Sequence, residues 1–187
     1  MSPFAGQIAQ LFTAHGGHTY DESVSMTDHM LQTATLASAA DCADHLVLAA
    51  LLHDIGHLLL AEQDLANPSD SHRHTDLHHE DLAAAFLRPH LPEIVVAPIA
   101  LHVSAKRYLC ATDDEYLARL SPASTHTLAL QGGPFLESEV TAFQDNPDWQ
   151  DALLLRRFDD DAKVSGTPTP TVEEFLARLL PRGGNRK

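Results

Sequence analysis

Apolar residues recur at spacings of three and four along most of the chain, the periodicity of helices with one buried face. The pattern is clearest over residues 26–40 (MTDHMLQTATLASAA), 44–60 (DHLVLAALLHDIGHLLL) and 78–90 (HHEDLAAAFLRPH), and each is expected to be one helix. No segment alternates with the period of a strand. Pro92 and Pro98 bracket a shorter helix ending near His102, and residues 113–121 form another after an irregular stretch. Residues 148–163 read as an amphipathic helix. Residues 167–180 read as a last one, with Thr169 as N-cap and Pro170 at the first helical position. The polar residues 62–76 and the glycine-containing 131–135 read as loops, and the tail after 180 as frayed. The expectation is one all-α domain over residues 1–187, a helical bundle with its core at about 20–165 and a C-terminal helix at about 170–180.

Residues 51–57, LLHDIGH, interrupt this pattern by setting His53, Asp54 and His57 inside an apolar run. A buried carboxylate without a partner is expensive or takes up a proton, so Asp54 calls for a compensating cation. No lysine is near in sequence; a metal ion would serve. His29, His53, His79 and His102 follow one another at steps of 24, 26 and 23 residues. On one straight helix a step of that size would be about 36 Å of rise, too far to share a ligand. If each step is instead a helix, a turn and a returning helix, the residues come back to one depth of the bundle, where facing helices assemble metal sites. A single histidine is more often a satisfied core or surface residue; the adjacent His53–Asp54 pair is what points to metal.

Composition narrows the function classes. The 187 residues are 44% apolar, enough to fill a core. Twelve Lys and Arg against 26 Asp and Glu give a net charge of −14, which argues against nucleic acid and disfavours an anionic membrane. No apolar stretch is expected to approach the length of a bilayer span and the N-terminus lacks a signal-like pattern, so a cytoplasmic protein is expected. Cys42 and Cys110 suit neither a disulfide framework nor a cysteine metal cage and read as buried thiols. The thirteen histidines fall mostly between His15 and His102. The oligomeric state is not legible.

The arrangement resembles the HD-domain superfamily of metal-dependent proteins, whose signature is a histidine, a His-Asp pair and a later aspartate. These match His29, His53, Asp54 and, in RRFDDDAK, Asp159. His79, chosen over His78 because it directly precedes Glu80, and His102 match the extra ligands of the two-metal branch. The resemblance implies that Asp54 bridges, with His29, His53 and Asp159 on one metal and His79 and His102 on the other. The second ion would keep open positions, which serve dioxygen and substrate in an oxygenase or an activated water in a hydrolase. Ligand count does not choose between them.

Further segments resemble one subfamily: YDESVSMTDHMLQTA, AALLHDIGHLL, HVSAKRYLCATDDEYLARLSPAS, LALQGGP and LLLRRFDDDAK. They are similar to the HD-domain mixed-valent di-iron oxygenases of phosphonate degradation, which share their metal architecture with myo-inositol oxygenase. The resemblance implies two iron ions as Fe(II)/Fe(III), with O2 as co-substrate. The reaction is carbon–phosphorus cleavage of a 1-hydroxy-2-(amino or trimethylammonio)ethylphosphonate to phosphate and glycine or betaine. It assigns Lys106, Arg156, Ser124 and His57 to the phosphonate or the oxygen-binding face, with Lys106 and His57 catalytic, Glu22 to the ammonium group and Tyr20 to a metal position before substrate arrives. The family's tyrosine is commonly three residues before the glutamate; here it is two. Bland readings stand beside these: Arg156 paired with a nearby acid, Ser124 as a helix cap, Tyr20 as a packing aromatic. An HD-type phosphohydrolase of nucleotides or phosphate esters is the alternative function, and a non-catalytic signalling module a third.

Overall fold

Short polar caps set where the helices of the chain begin. In the computed structural model, which describes residues 2–19, 24–66 and 78–180, with side chains at 65 and 66 excepted, Ser2 Oγ accepts the Ala5 N–H to start α1 (Pro3–His15), and Ser25 Oγ accepts that of Asp28 to start α2 (Met26–Ala39). The chain continues through α3 (Asp44–Leu52), α4 (Ile55–Ala66), α5 (His79–Leu87) and α6 (Glu93–Thr112). Asp113 caps α7 (Asp114–Ala118), and Ser121 caps α8 (Pro122–Leu130) with Pro122 at its first position. The last three helices are α9 (Glu137–Gln144), α10 (Trp149–Asp161) and α11 (Val172–Leu179). Each such cap contributes on the order of 1 kcal/mol. The described residues contain no strand, only one bridge between Thr19 and Ser25, so the all-α expectation holds.

The boundaries depart from the sequence reading in four places. The segment expected as a short helix followed by an irregular stretch is the single twenty-residue α6, with Pro98 inside it. Losing the Pro98 N–H costs about 3 kcal/mol, and the burial of Val95, Val96, Ile99 and His102 on the same helix outweighs it. The last helix starts at Thr171 rather than Thr169, because Thr171 and Glu174 exchange reciprocal capping bonds of 3.2 and 2.7 Å. The run at 44–60 is divided into α3 and α4 at His53–Asp54. Finally, α1, α8 and α9 went unanticipated, and α4 continues to Ala66, into the segment read as a loop; residues 67–77 lie outside the described part.

The apolar faces form two clusters. The larger draws on α1 to α6, α10 and α11, with Ile8, Met30, Leu51, Leu52, Ile55, Leu87, Ile99, Leu155 and Leu176 all shielded from solvent. The smaller joins Tyr108, Leu109, Tyr116, Leu128, Phe143 and Ala152 under Trp149. Both α6 and α10 run through the two clusters and pack closely on each other. The segments Asp44–Asp64 and Glu93–Thr112 are, contrary to the sequence expectation, long and apolar enough by length and composition to cross a membrane; 72% and 67% of their apolar windows lie inside the fold, as core helices do.

One close approach fixes the geometry beside the site. A Cβ at Gly56 would lie 2.0 Å from the His79 carbonyl oxygen, so only glycine lets α4 and the start of α5 meet there. His78 takes the left-handed conformation (φ 46°) just before α5, a strained turn for a residue with a Cβ. It stays exposed while His79 turns inward.

Candidate metal centre and the cavity beside it

All six residues expected as metal ligands converge where the two apolar clusters meet. His29 comes from α2, His53 and Asp54 from the α3–α4 joint, His79 from the first position of α5, His102 from the middle of α6 and Asp159 from α10. Each is buried. They fall into two groups, His29, His53 and Asp159 on one side and Asp54, His79 and His102 on the other. Asp54 joins the groups: its Oδ2 lies 3.5 and 3.3 Å from Nε2 of His29 and His53, and its Oδ1 lies 3.4 and 3.6 Å from Nε2 of His79 and His102.

The orientation of the rings follows from what their outer nitrogens do. His29 Nδ1 donates to the Ala162 carbonyl (3.0 Å), His53 Nδ1 to that of Ala50 (2.9 Å) and His102 Nδ1 to that of Ile99 (2.7 Å). His53 and His102 use the same device, a carbonyl three residues earlier on their own helix. A neutral ring that donates through Nδ1 presents a lone pair at Nε2. Nε2 of His29 and His53 are 3.2 Å apart and those of His79 and His102 are 3.0 Å apart, so at the first pair two lone pairs face each other unless a cation or a proton sits between them. Nitrogens on adjacent corners of one metal ion's shell stand about 3 Å apart at typical bond lengths of about 2.1 Å. The residues therefore fit two metal ions sharing Asp54.

Electrostatics agrees with that fit. Burial alone would raise the Asp54 carboxyl, but His53, His29 and His79 hold it well below the usual carboxylate range. Burial opposes Asp159 in the same way, and the Arg156 guanidinium, then His29 and His53, hold it low. Burial works against charge on His29, yet Asp159 and Asp54 outweigh it and push the imidazole up to about 9. Without metal, a proton on His29 can fill the first group. At His102, burial and then His79 hold the imidazole well below its ordinary value.

The second group opens on a cavity of about 340 Å³ whose lining includes Asp54, His79 and His102 together with His57, Lys106, Ser124 and Arg156. These are the four residues that the sequence resemblance assigned to the substrate side. His57 stacks on His79 with ring centroids 4.0 Å apart; burial, then His79, pushes its imidazole down to about 3, so it is neutral. Lys106 is 3% exposed, and its ammonium donates to Thr127 Oγ1 at 2.9 Å. No carboxylate lies within 4.0 Å of it among the described residues. Burial, then Arg156, pushes it down to about 8. A buried ammonium that faces a cavity with one hydroxyl for company is built for an anion.

Arg156 is tied more tightly than a free clamp would be. Its Nη1 lies 2.6 Å from Asp159 Oδ2, its Nε 3.0 Å from Asp160 Oδ2 and 3.2 Å from the Tyr116 hydroxyl, and Nη2 pairs with Asp160 Oδ1. The Tyr116 hydroxyl in turn donates to Asp160 Oδ2 at 2.5 Å. Arg156 thus borders the cavity while its charge is shared between two carboxylates. Ser124 is not the cap of α8; its own N–H donates to the capping Ser121 Oγ at 3.1 Å, which leaves its hydroxyl towards Lys163 Nζ at 3.4 Å.

Among the polar lining residues that the sequence reading did not single out are Thr127, Gln131 and Lys163. Gln131 Oε1 is buried without a hydrogen-bond partner among the described residues. Gln131 and Lys163 sit inside segments already noted as subfamily-like, LALQGGP and RRFDDDAK, whereas Thr127 falls between two such segments. Tyr20 and Glu22 lie outside the described residues; their neighbours Thr19 and Met26 line the cavity.

Comparison with known proteins gives the same direction. Residues 26–120 match the HD domain. The chain is 43% identical over 168 residues to a hydroxymethylphosphonate dioxygenase of Gimesia maris, covering 90% of this chain and 82% of that one. It is 38% identical over 169 residues to a glycine-betaine-forming [1-hydroxy-2-(trimethylamino)ethyl]phosphonate dioxygenase of Leisingera caerulea, covering 90% and 84%. An uncharacterized protein of Acanthamoeba polyphaga mimivirus is 34% identical over 159 residues, covering 84% and 71%. A chain that folds its paired histidines and aspartates in this way, and matches such relatives over nine-tenths of its length, belongs to the HD-domain family, in the branch of the phosphonate oxygenases.

Proposed function

We propose that this protein is a dioxygenase that cleaves the carbon–phosphorus bond of a small 1-hydroxyalkylphosphonate, with two iron ions in a mixed Fe(II)/Fe(III) state as its resident metals. The reading is carried by one observation: Asp54 turns its two oxygens to two different histidine pairs, and the pair with fewer carboxylates borders a cavity that holds a buried ammonium, Lys106, with no carboxylate within 4.0 Å among the described residues. The names of two relatives support the reaction class. The balanced change is one O2 consumed for each phosphate released, the carbon that bore phosphorus leaving as a carboxylic acid. A 1-hydroxy-2-aminoethylphosphonate gives glycine, and its trimethylammonio counterpart gives betaine.

His29, His53, Asp54 and Asp159 would hold one iron, and Asp54, His79 and His102 the other. When bound, the pair supplies the redox capacity for using O2 and the Lewis acidity that draws in the substrate's hydroxyl and phosphonate oxygens. Every other contribution comes from the chain. Lys106 holds the phosphonate as a point charge and Thr127 Oγ1 keeps its ammonium aimed at the cavity. The Ser124 hydroxyl and the Gln131 amide add neutral hydrogen bonds to the same end. Arg156 holds Asp159 and contributes its positive field to the anion. His57, neutral and stacked on His79, keeps that ring's plane and offers ring nitrogens that have no hydrogen-bond partner among the described residues. The apolar Met26, Leu60, Val103 and Leu130 limit water around the reacting carbon.

Among the described residues, only Asp54 and Asp159 bring carboxylates to the cavity. In this reading Glu22, which the resemblance assigns to the ammonium group, decides between substrates with and without a cationic end. The test is turnover of hydroxymethylphosphonate and of 1-hydroxy-2-aminoethylphosphonate by the iron-loaded protein, aerobically and anaerobically. Phosphate release that follows oxygen, one for one, is expected. Release that ignores oxygen, or turnover of nucleotides and phosphate esters with Mn2+, Mg2+ or Co2+ instead, would return the chain to the phosphohydrolase reading.

A further inference from the structure

The acidic chain concentrates its cations around the site. Five of its 12 Lys and Arg residues line either the site cavity or a second cavity of about 430 Å³ beside it. The two cavities share Ser121 and Lys163 as their common wall. Lys163 Nζ reaches Ser124 Oγ at 3.4 Å, and Ser121 Oγ donates to Ser124 Oγ at 3.1 Å, so one face of this wall is the anion end of the site.

On the other face stand Arg119 and Arg157, both exposed. Arg119 Nε donates to the Glu115 carbonyl at 3.2 Å, and no carboxylate lies within 4.0 Å of either guanidinium among the described residues. Two acids, Asp160 and Asp161, share this lining. Asp160 is already bonded by Arg156 and Tyr116, and lies 4.0 Å from Lys163. Arg156 and Lys163 both lie against Asp160, which leaves Arg119 and Arg157 beside Asp161, the other acid of this lining among the described residues.

We propose that Arg119, Arg157 and Lys163 form an outer subsite for tetrahedral oxyanions, through which a phosphonate reaches the site and the phosphate product leaves it. A protein of net charge −14 repels such dianions at long range. A cluster of cations next to the site cavity reverses the field over the last Debye length, about 8 to 10 Å at moderate salt. Arg157 and Arg119 capture the anion, and Lys163 passes it across the Ser121–Ser124 wall to Lys106. The proposal rests on the reading of the inner cavity as a phosphonate site.

Two measurements test it. The first needs no turnover: inorganic phosphate is titrated into the Lys106→Met protein, which lacks the inner ammonium, and into the same protein carrying Arg119→Gln and Arg157→Gln, with binding read by calorimetry at low ionic strength. Residual phosphate binding in the first and about tenfold weaker binding in the second are expected; equal affinity in the two, or none in the first, overturns the proposal. The second uses the full enzyme with Lys106 intact. For Arg119→Gln/Arg157→Gln, kcat/KM for the phosphonate is expected to fall about tenfold at low salt, the lower end of the range for electrostatic steering, with kcat moving less than twofold and most of the salt dependence gone. A salt dependence as steep as that of the unsubstituted enzyme overturns it. If no oxygen-dependent turnover exists at all, the oxygenase reading has failed, and the phosphate titration decides the outer subsite by itself.

Discussion

Arg156 holds Asp159 by one carboxylate oxygen while the other faces His29. Its Nη1 lies 2.6 Å from Oδ2, while Oδ1 faces His29 Nε2 at 3.2 Å. A carboxylate fixed at one oxygen presents the other in a single direction, which is how a supporting residue sets a metal ligand. Arg156→Lys keeps the charge and loses the planar fork that reaches both Asp159 and Asp160. Metal affinity at the His29–His53–Asp159 group is expected to fall about 10- to 100-fold, seen as lower metal content after dialysis against a weak chelator. An unchanged content would show that Asp159 needs no such support.

Gly56 predicts a different failure. With Ala at this position, the new methyl must displace the His79 backbone, 2.0 Å away. The cost is expected to be at least about 1–3 kcal/mol, with His79 moved off the Asp54 Oδ1 side. Metal analysis should then find fewer ions per chain than in the unsubstituted protein, the ion held by His79 and His102 being the one lost. Full occupancy together with an unchanged melting temperature would contradict the close approach.

Lys106 gives a dependence on pH whose sign can be worked out. Its ammonium, 10.5 in an ordinary environment, is pushed down to about 8. Anion binding needs the proton, so KM for the phosphonate is expected to rise as pH climbs through about 8, up to tenfold per unit; in Lys106→Arg that inflection should vanish. Stability moves the other way. Between about 8 and 10.5 the unfolded chain holds a proton that the folded one has lost, so folding is favoured as pH rises through that window and carries the full penalty below it. The stability of the unsubstituted protein relative to Lys106→Met, read by urea denaturation at several pH values, should therefore rise between about pH 8 and 10.5 by up to about 1.4 kcal/mol per pH unit. A constant difference would mean that Lys106 keeps an ordinary affinity for its proton.

Substrate choice offers a test of Glu22. With Glu22→Gln, kcat/KM for 1-hydroxy-2-aminoethylphosphonate is expected to drop by about tenfold or more, the loss of one charge-assisted hydrogen bond, while that for hydroxymethylphosphonate stays within about twofold. Equal losses on both would remove the ammonium contact from the account.

What could be read from the sequence divides along physical lines. The clustering of these residues was legible because bringing charged and polar groups into an apolar helix needs a reason, and the return spacing of His29, His53, His79 and His102 made their convergence the natural geometry. Helices α2, α5 and α10 were legible because their buried faces recur at helical spacing. Helix α8, PASTHTLAL, carries almost no apolar stripe, and its start is written in Ser121 and Pro122 alone, a signal that was present and unused. The continuity of α6 was hidden by Pro98: a local rule says stop, and burial on both sides of it says continue. Thr127, Gln131 and Lys163 are neutral or common side chains whose significance comes from which wall they share, and no linear pattern carries that.

Both long-range partners in the bundle, α6 and α10, thread the large apolar cluster and the small one, and each delivers a side chain of the candidate metal centre at the seam. The ions would thus act as rivets between two hydrophobic halves. A change far from any ligand, at Tyr108 or Phe143 for instance, would tilt the distal half of α6 and register as altered iron retention at His102, so the aromatic cluster belongs to the chemistry of the centre although it never touches it.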